Sequence, residues 1–183
     1  MPDELLIQNC APTLAGIKTA NLFSCACETE EDLRATVRRL NRLLTGKGLR
    51  VLPLRLRNGR ALIYVYRPAL LRRDWDNALA CELLSERGYC CEDQGQCLRR
   101  LMTRLREDGD FPHEIGLFLG YPPEDVRGFI ENRAGGCKCI GCWKVYGDEE
   151  RAKTTFAQYK TCTECLCAHY AKGMSLEALA VAG

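Results

Sequence analysis

Hydrophobic and polar positions alternate with two different periods along the chain, and each period predicts one kind of element. Residues 5–20 follow a mostly helical pattern that we expect to be interrupted at Cys10-Ala-Pro-Thr, and residues 21–25 are short enough for a first strand. Thr29 and the acids after it are typical of a helix start, because a hydroxyl and carboxylates stabilise the positive end of a helix. The helix that follows is predicted to bury one stripe of side chains: Leu33, Val37, Leu40 and Leu44.

The clearest strand pattern covers residues 49–66, where two alternating segments flank Asn58-Gly59. This dipeptide favours a type I′ turn, because both central residues of that turn need a positive φ. The first arm is expected to place its leucines on one face and its arginines on the other: Leu54 and Leu56, Arg55 and Arg57. The pattern therefore predicts an antiparallel hairpin.

The rest of the chain predicts mainly helices. The expected elements are amphipathic helices at about 69–87 and 92–108, a buried strand at 114–120, a short helix from Pro122 to Ala134-Gly-Gly, a strand at 143–146, a long helix from Asp148 towards Lys172 and a short helix from Ser175. Together these elements predict an α+β fold, in which a small, mostly antiparallel sheet packs with several helices. Because no linker or repeat divides the sequence, we expect a single domain over residues 1–183.

Composition points to a protein of a reducing compartment. The chain has 183 residues, 46% of them hydrophobic, which is enough for one well-buried core. Its 13 cysteines cannot all pair within one chain, so a fully oxidised secreted framework is not expected. The first residues are acidic where a signal peptide is basic, and no apolar run reaches the ~18 residues that a membrane span requires. We therefore expect a cytoplasmic protein without a membrane span.

A basic block lies beneath the formal net charge of +2: residues 34–73 contain eleven arginines, one lysine and no acidic residue. One interpretation is that this block folds against the acidic flanks of the chain, because charge runs usually form solvated faces. The alternative is a surface for an anionic ligand, a partner protein or a nucleic acid, because arginine binds phosphate through charge and paired hydrogen bonds. The candidates for one such patch are Arg34, Arg38, Arg42, Arg55, Arg57 and Arg60.

The segment over residues 137–169 is rich in cysteine and predicts a metal site. Two cysteine pairs, each with two residues between its members, are separated by 19 residues, which is the spacing of a four-sulfur zinc site. If the long helix continues through residue 169, a histidine shares the helix face of the second pair. The predicted ligands are Cys139, Cys142, Cys162 and Cys165, with His169 as a substitute and Cys137 and Cys167 as spares.

Other interpretations of these cysteines stay open. Free cysteines are often small buried apolar side chains, and neighbouring thiols in a reducing compartment also serve as redox pairs. An iron–sulfur cluster also uses four thiolates, but the sequence has no ferredoxin-type run, so zinc is favoured over iron.

A thiol enzyme is an alternative function. Cys10 precedes Pro12, which suits the first turn of a helix, and a cysteine at a helix N-terminus has a lowered pKa. Paired with a His113 that Glu114 orients, Cys10 would have the residue types of nucleophilic catalysis, and Lys18 could hold an anion. The alternatives are a packed Cys10 and a His113 that caps a strand.

Long and unusual strings occur at His113-Glu-Ile-Gly-Leu-Phe-Leu-Gly-Tyr-Pro-Pro-Glu-Asp-Val, at Trp143-Lys-Val-Tyr-Gly-Asp and at Cys10-Ala-Pro-Thr-Leu-Ala-Gly-Ile-Lys. They resemble an uncharacterised bacterial family, the domain-of-unknown-function family 3793, over nearly the whole chain. The resemblance implies an anaerobic bacterium as the source, which suits a thiol-rich protein, and it implies no function. Metal binding is therefore the leading hypothesis, ahead of the thiol enzyme and of the anion- or nucleic-acid-binding surface.

Overall fold

The fold is that of a computed structural model, in which residues 2–107, 111–132 and 135–183 are described. The helices are α1 (Asp3–Leu14), α2 (Glu30–Leu44), α3 (Pro68–Trp75), α4 (Ala78–Ser85), α5 (Gln94–Arg106), α6 (Ile115–Phe118), α7 (Pro123–Glu131), α8 (Glu149–Ala171) and α9 (Leu176–Leu179). The strands are β1 (Ala20–Ala26), β2 (Arg50–Arg57), β3 (Arg60–Tyr66), β4 (Cys139–Ile140) and β5 (Lys144–Val145). The predicted α+β class is confirmed.

The chain groups into two compact units. The first unit consists of residues 1–70 and 159–183, and the second unit consists of residues 71–158. Each unit is described by itself below, and the expected single domain stays a prediction.

The first unit contains an antiparallel sheet with the strand order β1-β3-β2. The predicted hairpin joins β2 to β3, and Asn58 (φ 51°) and Gly59 (φ 70°) both adopt the left-handed conformation that a type I′ turn needs. In the register of the sheet, Phe23 of β1 and Pro53 of β2 both pair with Ile63 of β3. The predicted Asn-Gly turn therefore sets the pairing of the strand ends next to it, and a register shift between Pro53 and Arg55 changes the pairing further along β2.

Helices α1 and α2 supply most of the helical contribution to the core of the first unit. Helix α2 begins where predicted, because the Thr29 side chain accepts a hydrogen bond from the Asp32 backbone N–H. The expected stripe of α2 is apolar and inward: three leucines are buried and Val37 is partly buried against them. The large side chains of this core include Leu6, Ile7, Leu14, Phe23, Leu33, Leu40, Leu44, Leu49, Val51, Ile63 and Val65.

The expected interruption of the first helix at Cys10-Ala-Pro-Thr is wrong. Helix α1 runs without a break from Asp3 to Leu14 and contains Pro12 near its end. Proline removes one hydrogen bond to the preceding turn, and at this position only the last turn is affected. The chain then leaves the helix through Gly16, whose φ is 79°, and the N–H groups of Ile17 and Lys18 bond to the Pro12 carbonyl.

Arg67, directly after β3, is a buried cation of the first unit. Its guanidinium donates to the carbonyl oxygens of Thr13 (2.8 Å), Leu14 (2.8 Å), Lys47 (3.1 Å) and Val181 (2.8 Å). Two of these carbonyls belong to the last residues of α1, one belongs to the last residue of the 3-10 turn over Thr45–Lys47, and one belongs to the segment after α9. One planar side chain therefore fastens three chain segments that are distant in sequence.

Two predictions for the second unit are wrong. The helix expected over residues 69–87 is broken into α3 and α4, because the Asn77 side chain accepts from the N–H groups of Leu79 and Ala80 and starts a new helix. The buried strand expected over residues 114–120 is instead the short helix α6 (Ile115–Phe118) with its flanking residues. A short apolar run that is buried on every side has the same pattern in a strand and in a helix, and Gly120, with a φ of 71°, ends this helix.

The later elements follow the sequence more closely. Helix α7 opens after Pro122, β5 lies within the strand expected over 143–146, and α8 and α9 begin next to Asp148 and Ser175. Asp108 and Ala134, at which two expected helices end, lie outside the described residues.

The core of the second unit contains a group of aromatic side chains next to the buried acid Glu114. Trp75 and Tyr89 both make edge contacts with the Phe118 ring, at centroid distances of 5.0 and 5.4 Å. The Glu114 carboxylate, only 2% exposed, accepts hydrogen bonds from the Tyr89 hydroxyl (2.7 Å) and from Arg104. Burial and the neighbouring Glu114 raise the pKa of Tyr89, so its hydroxyl stays a donor to the carboxylate.

Replacement of Arg67 by lysine is expected to lower the free energy of unfolding by about 2–4 kcal/mol. A lysine ammonium cannot reach four carbonyl oxygens in one plane, and each buried carbonyl left without a donor costs about 1–3 kcal/mol. Urea unfolding followed by circular dichroism measures the change. The matched control is Arg38→Lys on the exposed face of α2, which should change stability by less than about 0.5 kcal/mol. Equal effects of the two substitutions would contradict the role of Arg67.

Candidate functional site

The second unit contains a pocket of about 320 Å³ that lies among α6, α7 and the β4–β5 hairpin. Its apolar lining consists of Phe111, Ile115, Tyr121, Val126, Phe129, Ile140 and Trp143. Three side chains with a charged or ionisable group also line it, namely His113, Asp125 and Lys144. Apolar pockets of this kind with a few polar groups are the usual form of a small-molecule site.

The Asp125 carboxylate holds the hairpin beside α7. Asp125 is 3% exposed, and its Oδ1 accepts from the backbone N–H groups of Tyr146 and Gly147, each at 2.7 Å. Its Oδ2 accepts from the Trp143 indole N–H, also at 2.7 Å. Three donors on one buried carboxylate offset the loss of its hydration. The Asp125 carboxylate therefore links α7 to the hairpin and to the two residues that follow it.

Trp143 forms one wall of the pocket. Its ring is stacked with Tyr121 at a centroid distance of 4.9 Å and meets the edge of Phe156 at 4.5 Å. Burial raises the pKa of Tyr121 to about 12, and its protonated hydroxyl donates to the Cys142 carbonyl at 3.2 Å. Gly141 lies so close to Phe156 that an added Cβ would be 2.2 Å from the ring. Only a residue without a side chain therefore fits between the hairpin and the Phe156 ring at this position.

The two basic side chains of the pocket lie next to the Phe129 ring. The His113 ring makes an edge contact with Phe129 at 5.0 Å, and the Lys144 ammonium lies 5.8 Å from the centre of the same ring. Two apolar lining residues reach solvent: Ile140 is 70% exposed and Phe111 is 44% exposed. The pocket therefore has an aromatic interior, basic groups at one ring and an apolar rim.

Aromatic residues are concentrated between residues 111 and 146, and this local concentration is a sequence signal for the site that the overall composition does not show. Most of the aromatic residues between 111 and 146 line the pocket, although they are only a small part of the chain. Pattern analysis misses them, because they come from turns and very short elements rather than from one periodic face. Asp125 is not predicted either, because an acid in the first turn of a helix is expected to be exposed and to interact with the helix dipole.

The structure removes the reason for expecting a reactive Cys10. Helix α1 begins at Asp3, so Cys10 lies in its interior and not at a helix N-terminus. The side chain is fully buried, and burial raises the pKa of the thiol, opposite to the expected direction. Glu114 bonds to Tyr89 and Arg104, whereas His113 contacts Phe129 in the pocket. Lys18 is buried in the first unit, with its ammonium 5.8 Å from the Tyr159 ring centre.

The predicted zinc ligands fall into two groups. Cys139 and Cys142 belong to the β4–β5 hairpin of the second unit, and Cys137 precedes it. In the first unit α8 continues through Ala171, and the Cys165 thiol lies 3.5 Å from His169 Nδ1. Over residues 2–107, 111–132 and 135–183, no three Cys, His, Asp or Glu side chains are grouped so that they could hold one metal ion.

The remaining members of the second group differ in burial. Cys162 is half-buried on the same helix as Cys165, while Cys167 packs against the core of the first unit. The metal assignment therefore stays a prediction from spacing.

The six arginines of the expected basic patch lie on opposite faces of the sheet. Helix α2 packs on the sheet face that carries Val51 and Ile63, and Arg34, Arg38 and Arg42 are on its exposed side. The register of β2 and β3 directs Arg55, Arg57 and Arg60 to the other face. The expected single patch is therefore wrong, because the sheet separates its two halves. Anion or nucleic-acid binding by either half stays a prediction.

Replacement of Asp125 by asparagine is expected to destabilise the second unit by about 2–3 kcal/mol. The asparagine NH₂ would face either the indole N–H or the two backbone N–H groups, so at least one buried donor loses its acceptor. Chemical unfolding followed by tryptophan fluorescence measures the loss. Glu124→Gln, at the exposed neighbouring position, is the control and should change stability by less than about 0.5 kcal/mol. An Asp125→Asn protein as stable as the control would show that the hairpin is held by other contacts.

Comparison with known proteins places the chain in a family. The family described as "Protein of unknown function (DUF3793)" matches residues 6–180. Neither the curated proteins nor the solved structures contain a match to this chain. No described helix is long and apolar enough to cross a membrane. The chain belongs to the DUF3793 family, which the resemblance of its sequence motifs also indicates.

Proposed function

We propose that the second unit binds a small, mainly apolar organic anion in the pocket between α7 and the β4–β5 hairpin. The observation that carries this proposal is the combination of aromatic walls with the basic groups His113 and Lys144 beside Phe129. Apolar surfaces bind the hydrophobic body of a ligand, and a few polar groups set its orientation.

The size of the pocket limits the ligand class. Ligand pockets span roughly 300–1,000 Å³, and this pocket of about 320 Å³ is at the lower end of that range. A single ring system with a short polar substituent fits this volume, whereas a polymer or a dinucleotide does not. The stacked Tyr121 and Trp143 rings favour a flat apolar body, because aromatic rings prefer offset stacking and edge contacts.

The charges of the pocket favour an anion over a cation. The Asp125 carboxylate already accepts three hydrogen bonds, so its oxygens are committed to the hairpin. The Lys144 ammonium lies over the Phe129 ring, the face that an organic cation would otherwise use. A carboxylate next to Lys144 gains a charge-assisted hydrogen bond, whereas an ammonium there is repelled.

Three probes of the same size and different charge test the proposal by isothermal titration calorimetry: 1-naphthoate, 1-naphthylmethanol and 1-naphthylmethylamine. We expect naphthoate to bind most tightly and the amine most weakly. Lys144→Met should weaken naphthoate binding by about 5–10-fold, because one partly exposed charge pair contributes about 1 kcal/mol, and should leave the alcohol unchanged. The control is Lys160→Met, at an exposed lysine of the first unit.

A second variant tests the location of the site. Ile140 is the most exposed apolar residue of the lining, so Ile140→Asp adds a negative charge at the rim at little cost to folding. It should weaken naphthoate binding more than alcohol binding. Two results would overturn the proposal: the amine binds more tightly than naphthoate, or no probe binds measurably at a concentration of about 1 mM.

We also infer from the cysteine spacing that the protein binds a thiophilic metal ion, with zinc favoured over an iron–sulfur cluster. Support comes from one turn of α8, where the His169 ring lies against Cys165. The Cys165 carbonyl lies 2.8 Å from His169 Nδ1 and can only accept, so Nδ1 is the donor in this contact and Nε2 is the ring nitrogen that a metal would use.

Metal analysis of anaerobically purified protein tests this second proposal. We expect about one equivalent of zinc in the wild type and less than about a tenth in Cys162→Ser/Cys165→Ser and in Cys139→Ser/Cys142→Ser. Cys27→Ser is the control, because Cys27 lies outside both groups. Absence of metal from the wild type contradicts the proposal, and a brown protein with visible absorption would identify an iron–sulfur cluster instead of zinc.

A further inference from the structure

Four cysteines that the sequence spacing does not single out lie together where α4 connects to α5. Cys81 is in the first turn of α4, Cys90 and Cys91 are in the connection, and Cys97 is in the first turn of α5. Asn77 and Asp93 cap the two helices and thereby fix both first turns. The helix starts and the short connection between them thus bring distant thiols to one place in the second unit.

Cys91 contacts Cys81. The Cys91 thiol donates to the Cys81 carbonyl at 3.7 Å, and the neighbouring Cys81 side chain contributes to the raised pKa of Cys91. The Ser85 hydroxyl lies 4.0 Å from the Cys81 sulfur, one helical turn further along α4. Both cysteines are half-buried, so each residue keeps part of its surface in contact with solvent.

The other two cysteines are less suited to pair with Cys81. Cys97 is fully buried, and its thiol donates to the Cys90 carbonyl at 2.9 Å. Burial raises the pKa of Cys97 to about 11, which keeps it protonated at neutral pH. The Cys90 side chain is exposed, and its contact with the cluster is made by its backbone carbonyl.

We propose that Cys81 and Cys91 form a thiol–disulfide redox site that reacts with low-molecular-weight disulfides. This site is independent of the pocket and of the predicted zinc ligands.

The reaction has two exchange steps. The Cys81 thiolate first attacks one sulfur of the small disulfide, forms a mixed disulfide and releases one thiolate, which takes up a proton. The Cys91 thiol then loses its proton to solvent and attacks the Cys81 sulfur, which forms the Cys81–Cys91 bond and releases the second small thiol. The protein loses two protons and two electrons, and the small disulfide is reduced to two thiols.

The order of the steps follows from the environment of Cys91. Burial, followed by the neighbouring Cys81 thiol, raises the pKa of Cys91 to about 12. A thiol that holds its proton this firmly is a poor first nucleophile, because the thiolate is the reacting species. The second step should therefore limit the rate and should accelerate as the pH rises from 7 to 9.

Peptide mapping tests the site in the full-length protein. Native protein is treated with oxidised glutathione, free thiols are blocked with iodoacetamide, and the tryptic peptides are analysed by mass spectrometry without reduction. Trypsin separates residues 74–87, which contain only Cys81, from residues 88–99, which contain the other three cysteines of the cluster. We expect one cross-linked pair of these two peptides, with fragment ions that place the bond on Cys91, and its loss after dithiothreitol.

Two matched variants decide the partner. Cys91→Ser should abolish the cross-link and leave a glutathione adduct on Cys81, whereas Cys90→Ser should leave the cross-link intact. Circular dichroism of both variants before oxidation verifies that they are folded. A cross-link that survives in folded Cys91→Ser, or a wild-type Cys81 that is carboxamidomethylated to the same extent with and without glutathione, would overturn the proposal. Should Cys91→Ser not fold, the fragment ions of the wild-type cross-link decide the same question.

Discussion

The buried carboxylate of Asp125 is the interaction on which the site depends. It is one side chain in the first turn of α7, and all three of its hydrogen bonds go to the hairpin or to the turn that follows it. The indole that it holds is also a wall of the pocket. A carboxylate removed from water is tolerated only where donors replace its hydration, so this arrangement has little freedom to change. The hydrogen bonds of Asp125 thus connect α7 with the Trp143 wall of the pocket.

The same physical solution recurs in the first unit with the opposite charge. Among the residues that the structure describes, no acidic side chain pairs with the buried Arg67, and backbone carbonyls of three segments accept its hydrogen bonds. Glu114 is the exception, since Arg104 and Tyr89 satisfy it through their side chains. Uncharged hydrogen-bonding groups stabilise both charges: two backbone N–H groups and one indole N–H at Asp125, and backbone carbonyls at Arg67. Such groups define which segments meet and explain how short elements stay in place.

The fold could be predicted where hydrophobic residues repeat regularly over a long segment, or where a few neighbouring residues specify a turn or a helix cap. The Asn58-Gly59 turn and the Thr29 cap depend on neighbouring residues alone, so the hairpin and α2 could be predicted. The α6 segment could not, because a short run buried on all sides carries no period. The separation of the two arginine groups depends on sheet register and helix packing, which no local pattern contains. Cysteine spacing likewise drew attention to residues 137–169, whereas the contacts at Cys81 and Cys91 arise from two helix caps.

The proposed ligand of the pocket beside Trp143 is a small, mainly apolar anion. The chain has two tryptophans, and only Trp143 lines the pocket, whereas the indole N–H of Trp75 donates to the Leu117 carbonyl in the core of the same unit. The most direct measurement is a nuclear magnetic resonance titration of ¹⁵N-labelled protein with 1-naphthoate, followed at the two indole N–H signals. We expect a saturable shift of the Trp143 indole signal and of the Lys144 backbone amide signal, while the Trp75 indole signal stays in place. No shift at Trp143, or equal unsaturated shifts of both indoles, would contradict it.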